Sequence, residues 1–243
     1  MAFPRFYCSG ELVGGISFRL PDAPAHHAAR VLRLAAGDAV VLFDGRGGEY
    51  DARIAMIGRA GVDVDIGAHR SVERESPLRV ALVQALSSGD RMDIALQKSV
   101  ELGVTRIQPV SSRRSVVKLA GDRAERREQH WRGVVQSACE QCGRNRIPEV
   151  GRLMDFEDWL GQRPQDADCL LLDPDAPQRL SELPAPQREL ILLAGPEGGF
   201  APQERAAALS VGCMPVRLGA RVLRTETAAL AALAAMQARW GDF

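Results

Sequence analysis

The sequence predicts an α/β protein in which a small β-rich region precedes a larger, mostly parallel sheet. Up to residue 72, short segments of alternating polar and apolar residues are separated by glycine turns, which is typical of antiparallel strands. Beyond that point, continuous apolar runs alternate with segments of helical spacing, which is the pattern of parallel strands covered by helices on both faces. We therefore expect two domains, residues 1–72 and residues 73–243.

The first region contains a β-hairpin pattern. Residues 39–43 and 49–54 are apolar or alternating, and glycine-rich residues between them supply the positive φ angles of a turn. Residues 61–66 alternate with period two and predict the next strand, whereas residues 26–34 predict one helical piece. A small β-barrel or sandwich accounts for these elements, and the polar stretch 70–77 is typical of a linker.

The second region alternates strands and helices. The predicted strands are 78–86, 104–110, 169–173, 189–194 and 214–218. The predicted helices are 91–102, 123–142, 202–211 and 226–240. Gly103 is a suitable stop for the first of these helices. Four of the strands end in Gln84-Ala85, Asp173-Pro174, Gly195-Pro196 and Leu218-Gly219, and in a parallel sheet these ends meet along one edge.

The loop of residues 195–200 has the features of a ligand site. It follows a continuous apolar run, and its glycines remove the Cβ atoms that would keep a ligand from the backbone. The Lys-Ser/Thr pair of a phosphate loop and the Gly-x-Gly-x-x-Gly dinucleotide pattern are both absent, so a planar polar molecule such as adenine fits better. A plain turn explains one such loop, but a second loop at 218–228 favours a ligand site.

The second loop leads into the last predicted helix. Thr225 or Thr227 is suited to cap that helix, and Glu226 in the first turn complements the helix dipole. Arg221 and Arg224 flank an apolar pair and suit an anionic partner. A cap with two surface arginines is the alternative interpretation.

Composition restricts the classes of partner. The formal net charge is zero, with 31 basic and 31 acidic residues, but residues 106–146 hold ten basic against four acidic side chains. Such a surplus suits phosphate binding, although a solvated helix face is the commoner explanation. The pair Cys139 and Cys142 and the pair His26 and His27 lack further ligands, so no metal site is expected. Five scattered cysteines, no signal peptide and no membrane-length apolar run indicate a cytoplasmic protein.

At the level of motifs, the chain resembles the SPOUT methyltransferases, and more narrowly the ribosomal small-subunit RNA methyltransferase E family. The resemblance rests on the loop 195–200 and on the loop 218–228. Further matches are Pro4-Arg5-Phe6, Val31-Leu32-Arg33, Leu42–Gly45, Lys98–Val104, Arg113–Val116, Glu140-Gln141, Arg144 and Pro148. The resemblance therefore covers nearly the whole chain.

This resemblance implies a fold, a cofactor and a reaction. The fold is an α/β sheet with a deep trefoil knot, preceded by a PUA-like β-barrel that binds RNA. The protein would be a homodimer that uses S-adenosylmethionine to methylate N3 of a uridine in 16S rRNA of the small ribosomal subunit. The implied cofactor contacts are Leu172, Asp173, Pro174, Gly195, Pro196, Glu197, Gly198, Gly199, Phe200, Leu218, Gly219, Val222, Leu223, Arg224, Thr225, Thr227 and Ala228. The expected RNA contacts are Arg5, Arg30, Arg33, Arg113, Arg114 and Arg144.

The chemistry of uracil suggests roles for charged residues near the loops. Its N3–H is a weak acid, so a cation that stabilises the ring anion and a base that takes the proton would both help. We assign the cation to Arg224, while Glu140, Glu197 and Glu226 remain open as the base. The alternatives are a SPOUT enzyme acting on tRNA or on a ribose 2′-oxygen, and a non-catalytic RNA-binding protein.

Overall fold

The computed structural model describes residues 3–243 and separates them into two compact units. The first unit comprises the chain up to Glu75 together with Cys139–Ile147. The second comprises Ser76–Ala138 and Pro148–Phe243. Over the described residues, no helix is both long enough and apolar enough to cross a bilayer.

The first unit is built on one five-stranded sheet. Its elements are β1 (Arg5–Tyr7), β2 (Ser17–Arg19), α1 (Asp22–His26) with a π-helical turn (His27–Val31), β3 (Ala39–Phe43), β4 (Glu49–Gly58) and β5 (Gly61–Arg70). The strand order is β1-β3-β4-β5-β2. The predicted hairpin is confirmed, since β3 pairs antiparallel with β4. The predicted helix is confirmed in kind but starts four residues earlier, at Asp22, and includes the π-helical turn.

Alternation along β5 explains how this sheet buries one face. Val62, Val64 and Ile66 are buried, whereas Asp63 and Asp65 lie on the opposite face. The strands β1 and β2 were not predicted, because three residues are too few to show a period.

A distant segment completes the first unit through polar contacts. Asn145 is fully buried, donates a hydrogen bond to the Val72 carbonyl at 2.6 Å and accepts one from Arg5 at 2.5 Å. Arg144 is also buried and forms an ion pair with Glu75. These contacts explain why the last turn of the long helix and the residues after it group with the N-terminal part of the chain.

The second unit contains a parallel sheet with helices. Its elements are β6 (Val80–Ala85), α2 (Arg91–Glu101), β7 (Arg106–Ser111), α3 (Asp122–Cys142), β8 (Glu149–Val150), β9 (Met154–Asp155), α4 (Phe156–Gln162), β10 (Asp168–Leu172), a 3₁₀ turn (Leu180–Glu182), β11 (Leu190–Ala194), α5 (Pro202–Ser210), β12 (Met214–Val216) and α6 (Thr225–Trp240). The order is β12-β10-β11-β6-β7-β8, with β9 also on β7, and every pairing is parallel. The predicted α/β class is confirmed. The short elements β8, β9 and α4 were not predicted.

Gly103 ends α2 as predicted and also allows a close helix contact. Its φ is +80°, and an added Cβ would lie 2.6 Å from Gln237 Nε2. That amide donates to the Leu102 carbonyl at 2.8 Å, while Gln237 Oε1 accepts from the Ser76 hydroxyl at 2.6 Å. The end of α2 is therefore tied to α6 by a buried amide.

The sheet order places four strand ends side by side. The strands β12, β10, β11 and β6 are neighbours and run in the same direction. The prediction that these four strands end along one edge is therefore confirmed. Because β6, β11 and most of β10 are buried, the edge at their carboxyl ends is where polar loops become accessible.

Candidate functional site

A cavity of about 430 Å³ lies at the carboxyl ends of β10, β11 and β12 in the second unit. Its walls are Arg114, Leu171, Leu172, Asp173, Pro174, Asp175, Ala194, Gly195, Pro196, Glu197, Gly198, Gly199, Phe200, Arg205, Val216, Arg217, Leu218, Gly219, Arg221, Val222, Leu223, Thr225 and Ala228. The volume and the mixture of apolar and charged walls suit a small organic ligand.

The first glycine loop turns sharply away from the sheet. The Gly199 N–H donates to the Pro196 carbonyl at 2.8 Å, and Gly199 has a φ of +67°. At Gly195, an added Cβ would lie 3.2 Å from the Phe200 nitrogen. The Phe200 ring stacks on Phe156 in the core with centroids 4.4 Å apart. The loop is therefore held at its end by an aromatic contact while its backbone faces the cavity.

Thr225 joins the two loops. Its hydroxyl donates to the Gly195 carbonyl at 2.5 Å and accepts a hydrogen bond from Gln84 Nε2 at 3.1 Å. Gln84 is fully buried at the end of β6, and its Nε2 also donates to the Ala85 carbonyl. We call Gln84, Gly195 and Thr225 the loop clamp, because they connect the ends of β6 and β11 to the start of α6.

The sequence prediction of a threonine cap on α6 is wrong. The N-cap residue is Arg224, and its side chain makes no capping hydrogen bond. The Thr225 hydroxyl is taken up by the Gly195 carbonyl instead. Tertiary contact has therefore replaced the local cap that the sequence suggested.

Charged side chains surround the cavity. Asp173 Oδ2 accepts from Arg205 Nε at 2.7 Å, and Asp173 Oδ1 accepts the Asp175 N–H at 3.0 Å. Arg114 donates to the Gly198 carbonyl at 2.9 Å. With Arg217 also in the wall, the cavity offers both carboxylates and guanidinium groups. Such a set can bind a ligand that carries charges of both signs.

Glu197 is the most strongly perturbed acid at this edge. Its Oε1 accepts from the Ser88 N–H at 2.8 Å, from the Ser88 hydroxyl at 2.9 Å and from Arg91 at 2.9 Å. Burial by itself would raise the pKa of Glu197. The opposite effect is larger and lowers the pKa to about 2, because the carboxylate accepts hydrogen bonds from the backbone N–H groups of Ser88 and Glu197, from the Ser88 hydroxyl and from Arg91. This carboxylate is therefore ionised at neutral pH and is a weak proton acceptor.

The structure brings most of the predicted cofactor residues to the cavity. All of them are in its wall except Arg224 and Thr227, whose side chains are exposed. Glu226 lies in the first turn of α6, and its Oε2 is buried without a hydrogen-bond partner among the described residues. Glu140 lies in the first unit, where its Oε1 accepts the Tyr7 N–H at 2.9 Å.

The six arginines predicted to bind RNA lie in different environments. In the first unit, Arg144 is buried and pairs with Glu75, whereas the largely buried Arg5 pairs with Glu49. The other four lie elsewhere: Arg30 and Arg33 are exposed near the π-helical turn, Arg113 pairs with Glu157, and Arg114 is at the cavity.

Sequence reasoning missed several residues at this site. Gln84 lies in a strand that is otherwise apolar, and a polar residue at the end of a buried strand is a signal that points to it. Arg205 on α5 and Arg91 on α2 carried no local signal, because their partners Asp173 and Glu197 are distant in sequence. Across the described chain, the structure contains no group of three or more His, Cys, Asp or Glu side chains arranged to hold a metal.

The fold and the site are those of an RNA methyltransferase, since family models of this class match both units. Residues 74–237 match an RNA methyltransferase domain, and residues 20–67 match an RNA methyltransferase PUA domain.

Individual relatives narrow this class. The chain is 32% identical to a ribosomal RNA small subunit methyltransferase E from Buchnera aphidicola, over 98% of this chain and 97% of that protein. The chain is also similar to the corresponding Neisseria gonorrhoeae enzyme, whose crystal structure contains S-adenosylmethionine. The two sequences are 42% identical, and the structures superpose over the whole of both chains with a TM-score of 0.93. A Legionella pneumophila protein, described as a methyltransferase with bound S-adenosylmethionine, has a TM-score of 0.96 at 36% identity over the whole of both chains. The chain therefore belongs to the ribosomal RNA small subunit methyltransferase E family.

Proposed function

We propose that this protein transfers a methyl group from S-adenosylmethionine to N3 of a uridine in 16S rRNA of the small ribosomal subunit. The observation that supports this most directly is the cavity between two glycine-rich loops that Thr225 joins. Family membership supports the cofactor and the rRNA substrate. The Neisseria gonorrhoeae relative is a ribosomal RNA small subunit methyltransferase E with S-adenosylmethionine bound, and the Buchnera aphidicola relative has the same name.

The cavity fits S-adenosylmethionine by shape and charge. At Gly219, an added Cβ would meet no atom within 4 Å, so this part of the wall is open backbone that a ligand can approach. The carboxylates of Asp173 and Asp175 suit the positive groups of the cofactor, and the guanidinium groups of Arg114 and Arg217 suit its carboxylate. When bound, S-adenosylmethionine supplies an electrophilic methyl group on a positively charged sulfur.

Arg224 is proposed to stabilise the uracil as its N3 proton leaves. The side chain is exposed in the second loop and forms no ion pair among the described residues, so it is available for a substrate oxygen. A guanidinium near O2 or O4 stabilises the negative charge that deprotonation creates. Its position at the N-cap of α6 adds the positive end of the helix dipole.

Glu226 is the proposed base among the three candidates. Its Oε2 has no hydrogen-bond partner among the described residues, whereas Glu197 is committed to Ser88 and Arg91. The pKa of Glu197, lowered to about 2, makes it a poor proton acceptor. We therefore propose that Glu197 organises the first loop and that Glu140 has a structural role with Tyr7.

We also propose that the enzyme works in the cytoplasm as a homodimer whose active site lies beside the subunit interface. Val222 is 81% exposed in the cavity wall, and a second copy of the chain at this edge would cover it. The trefoil knot that the family resemblance implies also remains part of the proposal. The expected domain limits at residues 72 and 73 remain part of the proposal.

Two measurements test the proposal. Isothermal titration with S-adenosylmethionine should show binding, and its absence would exclude the enzyme in favour of a non-catalytic RNA-binding protein. Mass spectrometry of 16S rRNA from a strain lacking the gene should show loss of one N3-methyluridine, restored by the cloned gene. An unchanged uridine pattern, or a loss in tRNA or at a ribose 2′-oxygen, would refute the assigned substrate position.

A further inference from the structure

The first unit contains a second cavity, of about 320 Å³, which the reaction above does not use. Its walls include Phe3, Arg5, Glu49, Arg70, Arg74 and Cys142, all within that unit. We call it the arginine cavity.

The charges of this cavity centre on one buried carboxylate. Glu49 is only 2% exposed and contacts three guanidinium groups: Arg5 at 2.5 Å, Arg70 at 2.8 Å and Arg74 at 3.4 Å. Burial opposes ionisation, but the three arginines outweigh it and lower the pKa of Glu49, so the carboxylate stays charged. Among the residues that the structure describes, one further carboxylate pairs with these arginines: the exposed Asp51 contacts Arg70 at 3.0 Å. Three positive charges thus face two negative ones, which leaves a net positive cluster.

Donors remain available on these arginines. Arg5 is 90% buried, stacks on Phe43 and has an Nε without a hydrogen-bond partner among the described residues. Arg70 and Arg74 are 42% and 45% exposed, so each keeps guanidinium N–H groups open to a ligand. A guanidinium carries five N–H donors. Besides Glu49, Arg74 donates to the Gly143 carbonyl at 2.9 Å and Arg70 contacts Asp51, so these acceptors use only some of the donors on the two exposed arginines.

An aromatic ring completes the cavity. Phe3 lies in the wall and is 57% exposed, so one face of its ring is open to a ligand. Exposed aromatic rings beside arginines are the arrangement that binds unpaired nucleotides, because the ring stacks on a base while guanidinium groups bind the phosphate.

We propose that the arginine cavity binds one nucleotide of single-stranded RNA, with its phosphate on Arg70 and Arg74 and its base on Phe3. The inference rests on the proposed action on rRNA, and it assigns to the first unit a substrate contact separate from the methyl-transfer site. It also gives Arg5 an indirect part, since Arg5 makes the shortest contact with Glu49 and shares that carboxylate with the two outer arginines.

Cys142 provides a direct probe of this cavity. Among the cysteines that the structure describes, Cys142 is the one with a partly exposed side chain. Burial raises the pKa of Cys8 and of Cys139 to about 12, so both stay unreactive thiols at neutral pH. N-ethylmaleimide should therefore label Cys142 first, and 16S rRNA fragments should slow that labelling at least fivefold.

RNA binding is then compared between a double variant, Arg70→Gln with Arg74→Gln, and a control variant, Arg59→Gln. Arg59 is exposed in the turn between β4 and β5 and is absent from the cavity wall. The double variant should bind 16S rRNA about 10- to 100-fold more weakly and lose roughly 1–1.5 from the slope of log affinity against log salt. Phe3→Ala should weaken binding about 5- to 100-fold, and Phe3→Tyr should retain it. Titration with S-adenosylmethionine should be the same for all variants.

Three outcomes would overturn the inference. The first is equal RNA affinity and salt slope in the double variant and the Arg59→Gln control. The second is Cys142 labelling in the unmodified protein that saturating RNA does not slow, a result that needs no variant to fold. The third is a Cys142 that fails to react without RNA, because the cavity would then be covered by another copy of the chain. Failure of the proposed uridine reaction would appear separately, as RNA binding without a methylated product.

Discussion

Removing the Thr225 hydroxyl should loosen the cofactor cavity without changing its shape. Thr225→Val replaces the hydroxyl by a methyl group of similar size, so the packing of this buried residue is nearly preserved. The change removes the 2.5 Å bond to the Gly195 carbonyl and the 3.1 Å bond from Gln84. Water cannot replace the lost bond at Gln84, because this side chain is 0% accessible to solvent at the end of β6.

The magnitude follows from the two polar groups that lose a partner. An unsatisfied buried donor or acceptor costs about 1–3 kcal/mol. Gln84 Nε2 keeps its bond to the Ala85 carbonyl, and the Gly195 carbonyl is next to an open cavity, so both costs lie at the lower end. We expect the free energy of unfolding to fall by about 2–3 kcal/mol. Affinity for S-adenosylmethionine should fall about 5- to 30-fold, equivalent to about 1–2 kcal/mol.

Urea unfolding and isothermal titration measure these two effects. Thr225→Ser keeps the hydroxyl and should recover most of the cofactor affinity. Thr227→Val, on the exposed side of the same helix, should change the unfolding free energy by less than about 0.5 kcal/mol. If Thr225→Val matches the unmodified protein in both assays, the loop clamp does not organise the cavity and the reasoning fails.

Three further predictions concern the loops. Because the pKa of Glu197 is lowered to about 2, its stabilising effect is complete above the ordinary carboxyl pKa and is lost as the pH falls toward 2. Glu197→Gln should thus lower the free energy of unfolding by about 1 kcal/mol at pH 7 and by progressively less below pH 4.5. Urea unfolding at several pH values measures this difference, and a difference that does not change with pH would contradict the ion-pair explanation. The Cβ added by Gly199→Ala would meet no atom within 4 Å, so any destabilisation should come only from the φ of +67°. We expect the free energy of unfolding to fall by about 1–2 kcal/mol in thermal unfolding, and an unchanged stability would argue against backbone strain. Arg224→Ala should lower kcat on 16S rRNA about 100-fold and Arg224→Lys by less, with cofactor affinity unchanged; a weakened cofactor instead would identify Arg224 as a cofactor ligand.

Much of the fold could be predicted because its signals are local. The buried run of β11 followed by Gly195 and Pro196 defines a strand that ends in a turn, and Gly103 marks the end of α2. In a parallel sheet all carboxyl ends share one edge, so the position of the ligand loops followed from strand direction alone. The strands β1 and β2 were too short to produce a pattern.

The sequence by itself determined the class of fold, the edge at which the ligand loops meet and the identity of the two loops. The tertiary structure alone decided which side chains serve those loops. Gln84 reaches Thr225 across 141 residues, and Arg205 reaches Asp173 across 32. The physical reason is that periodicity and turn chemistry report the conformation of a segment and the face it buries. They do not report the partner of that segment, because hydrogen bonds and ion pairs between distant residues depend on which strands are neighbours in the sheet.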